Sequence, residues 1–375
     1  MKLLAVENAT LLKKFIRFPH SLYKGDDQYT PEFNIAVAEK LDPKKNPYFR
    51  HSDAKLFLVE DEAHQILGRI AVTINNNYNT YHETRVAWFG FFDCIDDQNV
   101  CQLLFDAVTN YCKANDVGSL LGPANFTTND TAALLVEGYE TPPVIQMTYN
   151  FPYYEALLLN EGFRIEMNMG AYYIATASVN DRSLALEHNL ADRLAKKNIS
   201  VRQIRKSDWK QEVAKVRSIY QYAWQKNWGF VPPTAEEFDF LAGELKLVVD
   251  ERFAFIAEQD GKAIGFLLAI PDINEFMVNS KNGKLSPGII FNILFRKNKI
   301  KNLRVILLGV LEPYRKLGIE AVFFSKIIQQ ARKFGITGGE ASWILESNKE
   351  MCVSAEKLNG RLYKNYRIYS KKLQQ

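Results

Sequence analysis

Residues 304–334 read RVILLGVLEPYRKLGIEAVFFSKIIQQARKF, and the reading of this stretch decides the fold. The apolar run from Val305 to Leu311 predicts a buried strand. A turn carrying Arg315, Lys316, Leu317 and Gly318 follows, and then Ala321, Phe324, Ile327, Ile328 and Ala331 recur at helical spacing. A strand that feeds a glycine-bearing turn and then a helix makes an anion site. Free N–H groups point out of the first helical turn, and the helix dipole adds to their pull. Glu320 falls in that first turn. It either faces outward and complements the dipole, or faces the anion and repels it.

Outward from this stretch, the second half of the chain reads as an ordered set of elements. A strand opens it at 200–209, and a helix over about 210–227 and another over about 235–247 flank an aromatic turn with Trp224, Trp228 and Phe230. Phe253 to Glu258 and Ala263 to Ile270 predict a hairpin around Asp260-Gly261. A Pro/Asn/Gly-rich insertion spans about 271–288, and the apolar segment Ile289 to Phe295 predicts a short helix. Beyond residue 334, a strand over Gly338 to Leu345, a helix over Lys349 to Leu358 and a closing strand over Tyr363 to Lys371 complete the half. The first half repeats this order loosely. Its central strand is Arg85 to Cys94, but the turn after that strand holds Asp96 and Asp97 and no glycine. Acids there cap a helix well and repel an anion. The charged, amphipathic segment 179–198 predicts a helix joining the halves, so the expected organisation is 1–178, 179–198 and 199–375.

The turn Arg315-Lys-Leu-Gly318-Ile319-Glu320 resembles the Arg/Gln-x-x-Gly-x-Gly/Ala loop of the GNAT N-acyltransferases, with Glu320 where Gly or Ala is usual. The element order of the second half matches that family too. NPYF at 46–49, WFGFFD at 88–93, GPANF at 122–126 and TYNFPYY at 148–154 resemble bacterial tandem GNAT-like proteins, and this likeness spans nearly the full length. It implies an α/β (α+β) fold of two tandem GNAT-like domains, each a mixed, mostly antiparallel sheet flanked by helices. The co-substrate implied is acetyl-CoA or another acyl-CoA. The acceptor implied is an amine of a small molecule or peptide.

The same resemblance assigns roles. The N–H groups of Lys316, Leu317, Gly318, Ile319 and Glu320 hold the diphosphate, with charge from Arg315 or Lys316. The backbone of Leu308 to Leu311 pairs with pantetheine, and an N–H at Val310 or Leu311 meets the acyl carbonyl, as an oxyanion hole requires. Asn348 either bonds the pantetheine amide or caps the helix that it precedes. Glu346 and Glu340 are candidate general bases, since an amine acceptor must lose a proton; Glu340 is alternatively one half of an ion pair with a nearby Arg. The Tyr that the family uses in its last helix is missing, and Ser354, Tyr363 or Tyr366 is the candidate substitute as general acid to the thiolate.

Composition bounds the rest. At 375 residues with 47% apolar residues, the chain can bury two ordinary cores. A net charge of +4 from 47 basic and 43 acidic residues lacks the basic stripe of a nucleic-acid binder, so no nucleic-acid partner is expected. Cys94, Cys101, Cys112 and Cys352 form no C-x-x-C pair, and the five His residues show no metal-ligand spacing. A cytoplasmic enzyme without metal or transmembrane segment is the expectation. Two other readings stand beside it: a catalytically silent GNAT-fold binding protein, and an aminoacyl-tRNA-dependent transferase, which would need an RNA-facing basic surface.

Overall fold

Alternating apolar runs and amphipathic helical segments build one twisted sheet in the computed structural model, which describes residues 1–278 and 280–373. Of the insertion at 271–288, residue 279 lies outside the described residues. The strands of the first half are β1 (Lys2–Ala5), β2 (Asp53–Glu60), β3 (Ile66–Ile74), β4 (Val86–Cys94), β5 (Ser119–Gly122), β6 (Leu134–Glu137) and β7 (Arg164–Ala175). Those of the second are β8 (Ile199–Gln203), β9 (Ala254–Gln259), β10 (Lys262–Pro271), β11 (Asn302–Val310), β12 (Gly338–Leu345) and β13 (Arg361–Lys372). The helices are α1 (Ala9–Leu22), α2 (Asn34–Lys40), α3 (Asn76–Tyr81), α4 (Gln98–Ala114), α5 (Tyr154–Asn160), α6 (Asp181–Ala195), α7 (Trp209–Ala223), α8 (Ala235–Leu245), α9 (Pro287–Phe295), α10 (Ile319–Lys333) and α11 (Lys349–Lys357).

The sheet runs β1-β2-β3-β4-β5-β13-β7-β12-β11-β10-β9-β8, with β6 on the side of β13. Two pairs are parallel, β4 with β5 and β11 with β12; the others are antiparallel. The order contains an exchange that the sequence did not announce. The strand expected to close the second half, β13, pairs instead with β5, β6 and β7. In return β7, from the first half, pairs with β12, matching Ala341 to Tyr172. Tyr366, Ile368 and Tyr369 of β13 are fully buried, among first-half residues such as Trp88, Leu121 and Phe89. Each such side chain contributes roughly 1.5–3 kcal/mol of burial.

Both parallel pairs open partway along. β4 and β5 pair only as far as Trp88 and Leu121, and β11 and β12 only as far as Val305 and Ala341. In the first half the segment after β5 fills the opening. Ala124 donates its N–H to Phe89 O at 2.8 Å, and Asn125 Oδ1 accepts from the Phe91 N–H at 2.8 Å. Gly90 is required there, because a Cβ on it would lie 2.0 Å from Ala124 O. At the head of α4, the Asp97 side chain accepts from the Asn99 N–H at 2.8 Å, the capping role expected of it.

The burial pattern of α10 departs from the expected stripe. Val322, Phe323, Ile327, Ile328 and Ala331 enter the core, whereas Ala321 is exposed and Phe324 is half-buried. The helix starts at Ile319, rotating the first turn so that 321 and 324 look into the second opening. Among the described residues no helix is long and apolar enough to cross a membrane.

Candidate active site

The opening between β11 and β12 continues into a cleft of about 1570 Å³. Leu307 to Val310 and Ala341 to Leu345 form its sides, with the first turn of α10, the head of α11 and the faces of α7 and α8 completing it. Thr128 to Ala132, from the loop after β5, also reach it. That loop is fastened to the aromatic turn: Thr128 Oγ1 donates to Gly229 O at 2.6 Å, Asn129 Nδ2 to Val231 O at 3.0 Å, and Tyr220 Oη to Asn129 Oδ1 at 2.7 Å. The cleft is therefore walled by residues of both halves. Its lining is mainly hydrophobic and includes Trp224, Trp228, Phe230, Tyr220 and Phe324.

The polar features gather where β11 ends. Gly318 caps α10 in the left-handed region with φ of 90°, a conformation that glycine adopts without strain. The N–H groups of the helix's first turn lack intrahelical acceptors. Lys316, Gly318, Glu320 and Ala321 all line the cleft at this point, and the Lys316 side chain is exposed. Arg315 lines the cleft too, but its guanidinium is held by backbone carbonyls. Its Nε donates to Val310 O at 3.2 Å and its Nη2 to Ala223 O at 2.9 Å, so it fixes the end of β11 to the end of α7. Trp224 adds to this clasp through Nε1, which donates to Leu308 O at 3.0 Å.

Strand alternation distinguishes Val310 from Leu311. The Leu311 N–H is taken by Ile264 O at 2.9 Å, on the β10 side. Successive residues of a strand direct their backbone groups to opposite edges, so the Val310 N–H faces the opening toward β12. Leu317 and Ile319 support the loop from within: the Leu317 N–H bonds Tyr314 O at 3.4 Å, and Ile319 is fully buried. Asn348 caps α11, its Oδ1 accepting from the Met351 N–H at 3.2 Å, and it also lines the cleft.

Glu320 belongs to the cleft wall. Burial raises its pKa, while its own backbone N–H and then Arg315 favour the charged form and Glu350 opposes it. The carboxylate thus draws on the same helix N-terminus that would hold a bound anion.

The other carboxylates singled out by sequence stand apart from the cleft. Glu340 is 1% exposed and is bound by the hydroxyls of Ser342 and Tyr363, with Arg304 Nε 4.0 Å away. This is the ion-pair arrangement, beneath the floor rather than in it; Arg304 and Ser342 are the floor residues above. Glu346 is exposed and accepts from Asn168 Nδ2 at 3.0 Å. Tyr366 is fully buried behind the floor, 6.1 Å from the Trp343 ring, and its hydroxyl has no partner among the described residues. The structure therefore brings together Val310, Arg315, Lys316, Gly318, Glu320 and Asn348, but not Glu340, Glu346 or Tyr366.

Glu244 is a cleft residue that sequence reasoning missed. It lines the α8 wall, and burial pushes its pKa up to about 7, with Lys40 pulling down and Asp130 and Glu32 adding to the rise. Among the described residues, three further acids of the lining are held in pairs, unlike Glu244: Glu212 by Arg202 at 2.9 Å, Asp130 by Lys40 at 2.8 Å and Glu312 by Lys226 at 2.8 Å. Its position in the last turn of a helix, where a negative charge opposes the dipole, was the one available signal. Neither His nor Cys is found among the described residues of the lining, and no described group of His, Cys, Asp and Glu is placed to hold a metal.

Two known proteins align over nearly the whole chain. Protein YghO of Escherichia coli strain K12 is 32% identical over 372 residues, covering 98% of this chain and 94% of its own. Bacterial ceramide synthase of Caulobacter vibrioides is 30% identical over 380 residues, covering 100% and 98%. The chain belongs to the family of these two proteins. Its fold is the tandem GNAT fold, a GCN5-related acyltransferase architecture. A tandem GNAT protein from the clavulanic acid biosynthesis pathway superposes with a TM-score of 0.60 at 10% identity, over 100% of this chain and 99% of that one. A GCN5-related N-acetyltransferase from Sphaerobacter thermophilus gives 0.53 at 11% identity, over 100% and 96%. No protein-family model matches the sequence.

Proposed function

We propose that this tandem GNAT protein is an N-acyltransferase that moves a long acyl group from acyl-CoA to the amine of a long-chain amino alcohol. The observation that carries the reading is the hydrophobic cleft of about 1570 Å³ that starts at the open edge of β11. Its apolar lining reaches from the β11 edge to α7 and α8, which suits a long chain beyond the CoA arm. The full-length likeness to a protein named bacterial ceramide synthase supports an acceptor of sphingoid type.

The residues of the second opening fit an acyl-CoA. The α10 N-terminus, Gly318 and Lys316 suit the diphosphate, and Asn348 Nδ2 suits the pantetheine amides. The Val310 N–H is directed at the place of the thioester carbonyl, where it would stabilise the oxyanion of the tetrahedral intermediate. Arg315 and Trp224 serve the same end indirectly, by fixing the carbonyls of Val310 and Leu308. In the direct reaction the amine nitrogen bonds the acyl carbon, the C–S bond breaks, and the thiolate leaves with the electron pair. Glu244, with its pKa pushed to about 7, accepts the ammonium proton on the acceptor side. The first half takes no acyl-CoA, since Ala124 and Asn125 occupy its opening.

Incubation with a long-chain acyl-CoA and sphinganine, followed by mass spectrometry of the lipid extract, tests this reading. The expected product is the N-acyl amine together with free CoA. Turnover with acetyl-CoA and short amines alone would overturn the long-chain assignment. Acyl-CoA binding without transfer to any amine would favour the silent binding protein.

A further inference from the structure

Helix α9 presents a surface that neither the cleft nor the sheet accounts for. Its sequence, PGIIFNILF, has Asn292 as its one polar side chain. Ile289 and Ile293, one turn apart, are buried against the core beneath α7 and α8. The opposite face of a surface helix is ordinarily polar. Here it carries Ile290, Phe291, Leu294 and Phe295, of which Phe291 is 49% and Phe295 70% exposed. Leu285 before the helix and Leu247 just past α8 extend the exposed apolar area.

The charge along this segment of chain has one sign. No Asp or Glu lies between Glu275 and Glu312, while Lys281, Lys284, Arg296, Lys297, Lys299, Lys301 and the buried Arg304 do. The Arg296 guanidinium sits 5.4 Å from the Phe291 ring centre, so a cation borders the apolar face directly. Lys284 and Lys299 are exposed at its two ends. Lys297 folds onto the carbonyls of Leu247 and Val248, which ties α9 to α8. α8 is also the cleft wall that carries Leu241, Ala242 and Leu245.

We propose that α9 is an interfacial helix that seats the protein on the surface of a bilayer containing anionic lipid. Phe291, Leu294 and Phe295 enter the acyl boundary, and Arg296, Lys284 and Lys299 meet the headgroups. Charge complementarity selects this occupant: a second copy would bring an equally basic rim against this one. Seated so, the face lies beside the α8 wall of the cleft, and a lipid acceptor has a short way from membrane to site. The docking surface rests on the exposed face and its charge, and the lipid-acceptor reading gives it a purpose.

Co-sedimentation with vesicles tests the inference without any turnover, so its failure is distinct from failure of the acyl-transfer reading. The full chain is expected to pellet with vesicles of phosphatidylcholine and phosphatidylglycerol, and far less with phosphatidylcholine alone. Added salt is expected to release it. Phe291→Glu/Phe295→Glu is expected to abolish binding while leaving the circular dichroism melt unchanged. Lys284→Glu/Lys299→Glu provides a second arm at exposed positions, with binding weakened by roughly fivefold for each cation lost. Equal absence from both vesicle types would overturn the proposal. So would binding that ignores all four substitutions, or a concentration-dependent dimer that the Phe291→Glu/Phe295→Glu change dissolves in the absence of vesicle binding.

Discussion

Arg304, at the cleft floor, and Glu340, beneath it, face each other 4.0 Å apart, and both side chains are almost wholly buried. Burial pulls the Arg304 pKa down and Glu340 pulls it up. Glu340→Gln would keep the volume and leave the guanidinium without its counter-charge. A loss of about 3–5 kcal/mol in stability is expected from urea unfolding. Replacing both residues by Met is expected to recover much of that loss. A single Glu340→Gln change costing under about 1 kcal/mol would show that the pair is no more than a surface bridge in effect.

Glu320 draws on the same helix end as the proposed diphosphate. Glu320→Gln is expected to tighten CoA binding several-fold in calorimetry. The carboxyl's pKa is raised by burial, so in the parent protein CoA should bind more tightly as pH falls and the group is neutralised. The Gln variant should lose that slope. Weaker binding by Glu320→Gln would mean that the carboxylate orders the loop instead of opposing the ligand.

Glu244 connects two pH dependences of opposite sense. As a base it works deprotonated, so transfer should rise as pH increases through about 7. As a half-buried acid whose pKa moves from 4.5 unfolded to about 7 folded, it binds protons more strongly in the native state. Its contribution to stability is therefore complete below pH 4.5 and is lost as pH rises through about 7. Asp272, also pushed up to about 7 by burial, adds to the same slope. Glu244→Gln should reduce transfer by about 10²–10⁴-fold and flatten the stability profile only in part. Unchanged transfer in this variant would remove Glu244 from the mechanism.

Glu346 is exposed and bound to Asn168, outside the cleft. Glu346→Gln should leave both kcat and KM within about twofold of the parent, and stability within about 0.5 kcal/mol. A large fall in kcat alone would return this residue to the list of bases.

The fold was legible because its signals are local. The run Val305 to Leu311, the turn at Gly318 and the helix after it are set by neighbours in sequence, as are the Asp260-Gly261 hairpin and the Asp97 cap. Lys316, Gly318, Glu320 and Asn348 were legible for the same reason, since they belong to helix starts. What failed to show were pairings over long distances. Period 2 correctly placed Glu340 on a strand, but not which layer its face meets; Arg304 and Tyr363 decide that. The rotation of α10 that brings Ala321 and Phe324 to the cleft depends on where the turn ends, a matter of one residue. Glu244 gains its environment from Lys40 and Asp130, some 204 and 114 positions earlier by subtraction of residue numbers. Nothing in the strand 361–372 itself says which edge it will join.

That exchanged strand also sets an order of events. β13 leaves the ribosome after every other strand of the sheet, yet its Tyr366 and Tyr369 fill the core built around Trp88 and Phe89. Domains ordinarily mature from the N-terminal side while translation proceeds. Here the earlier-made half must wait, with β5 and β7 exposing unpaired edges, until the latest-made strand arrives to lie between them. Nascent chains of this protein are thus expected to need shelter from one another longer than their size alone would demand.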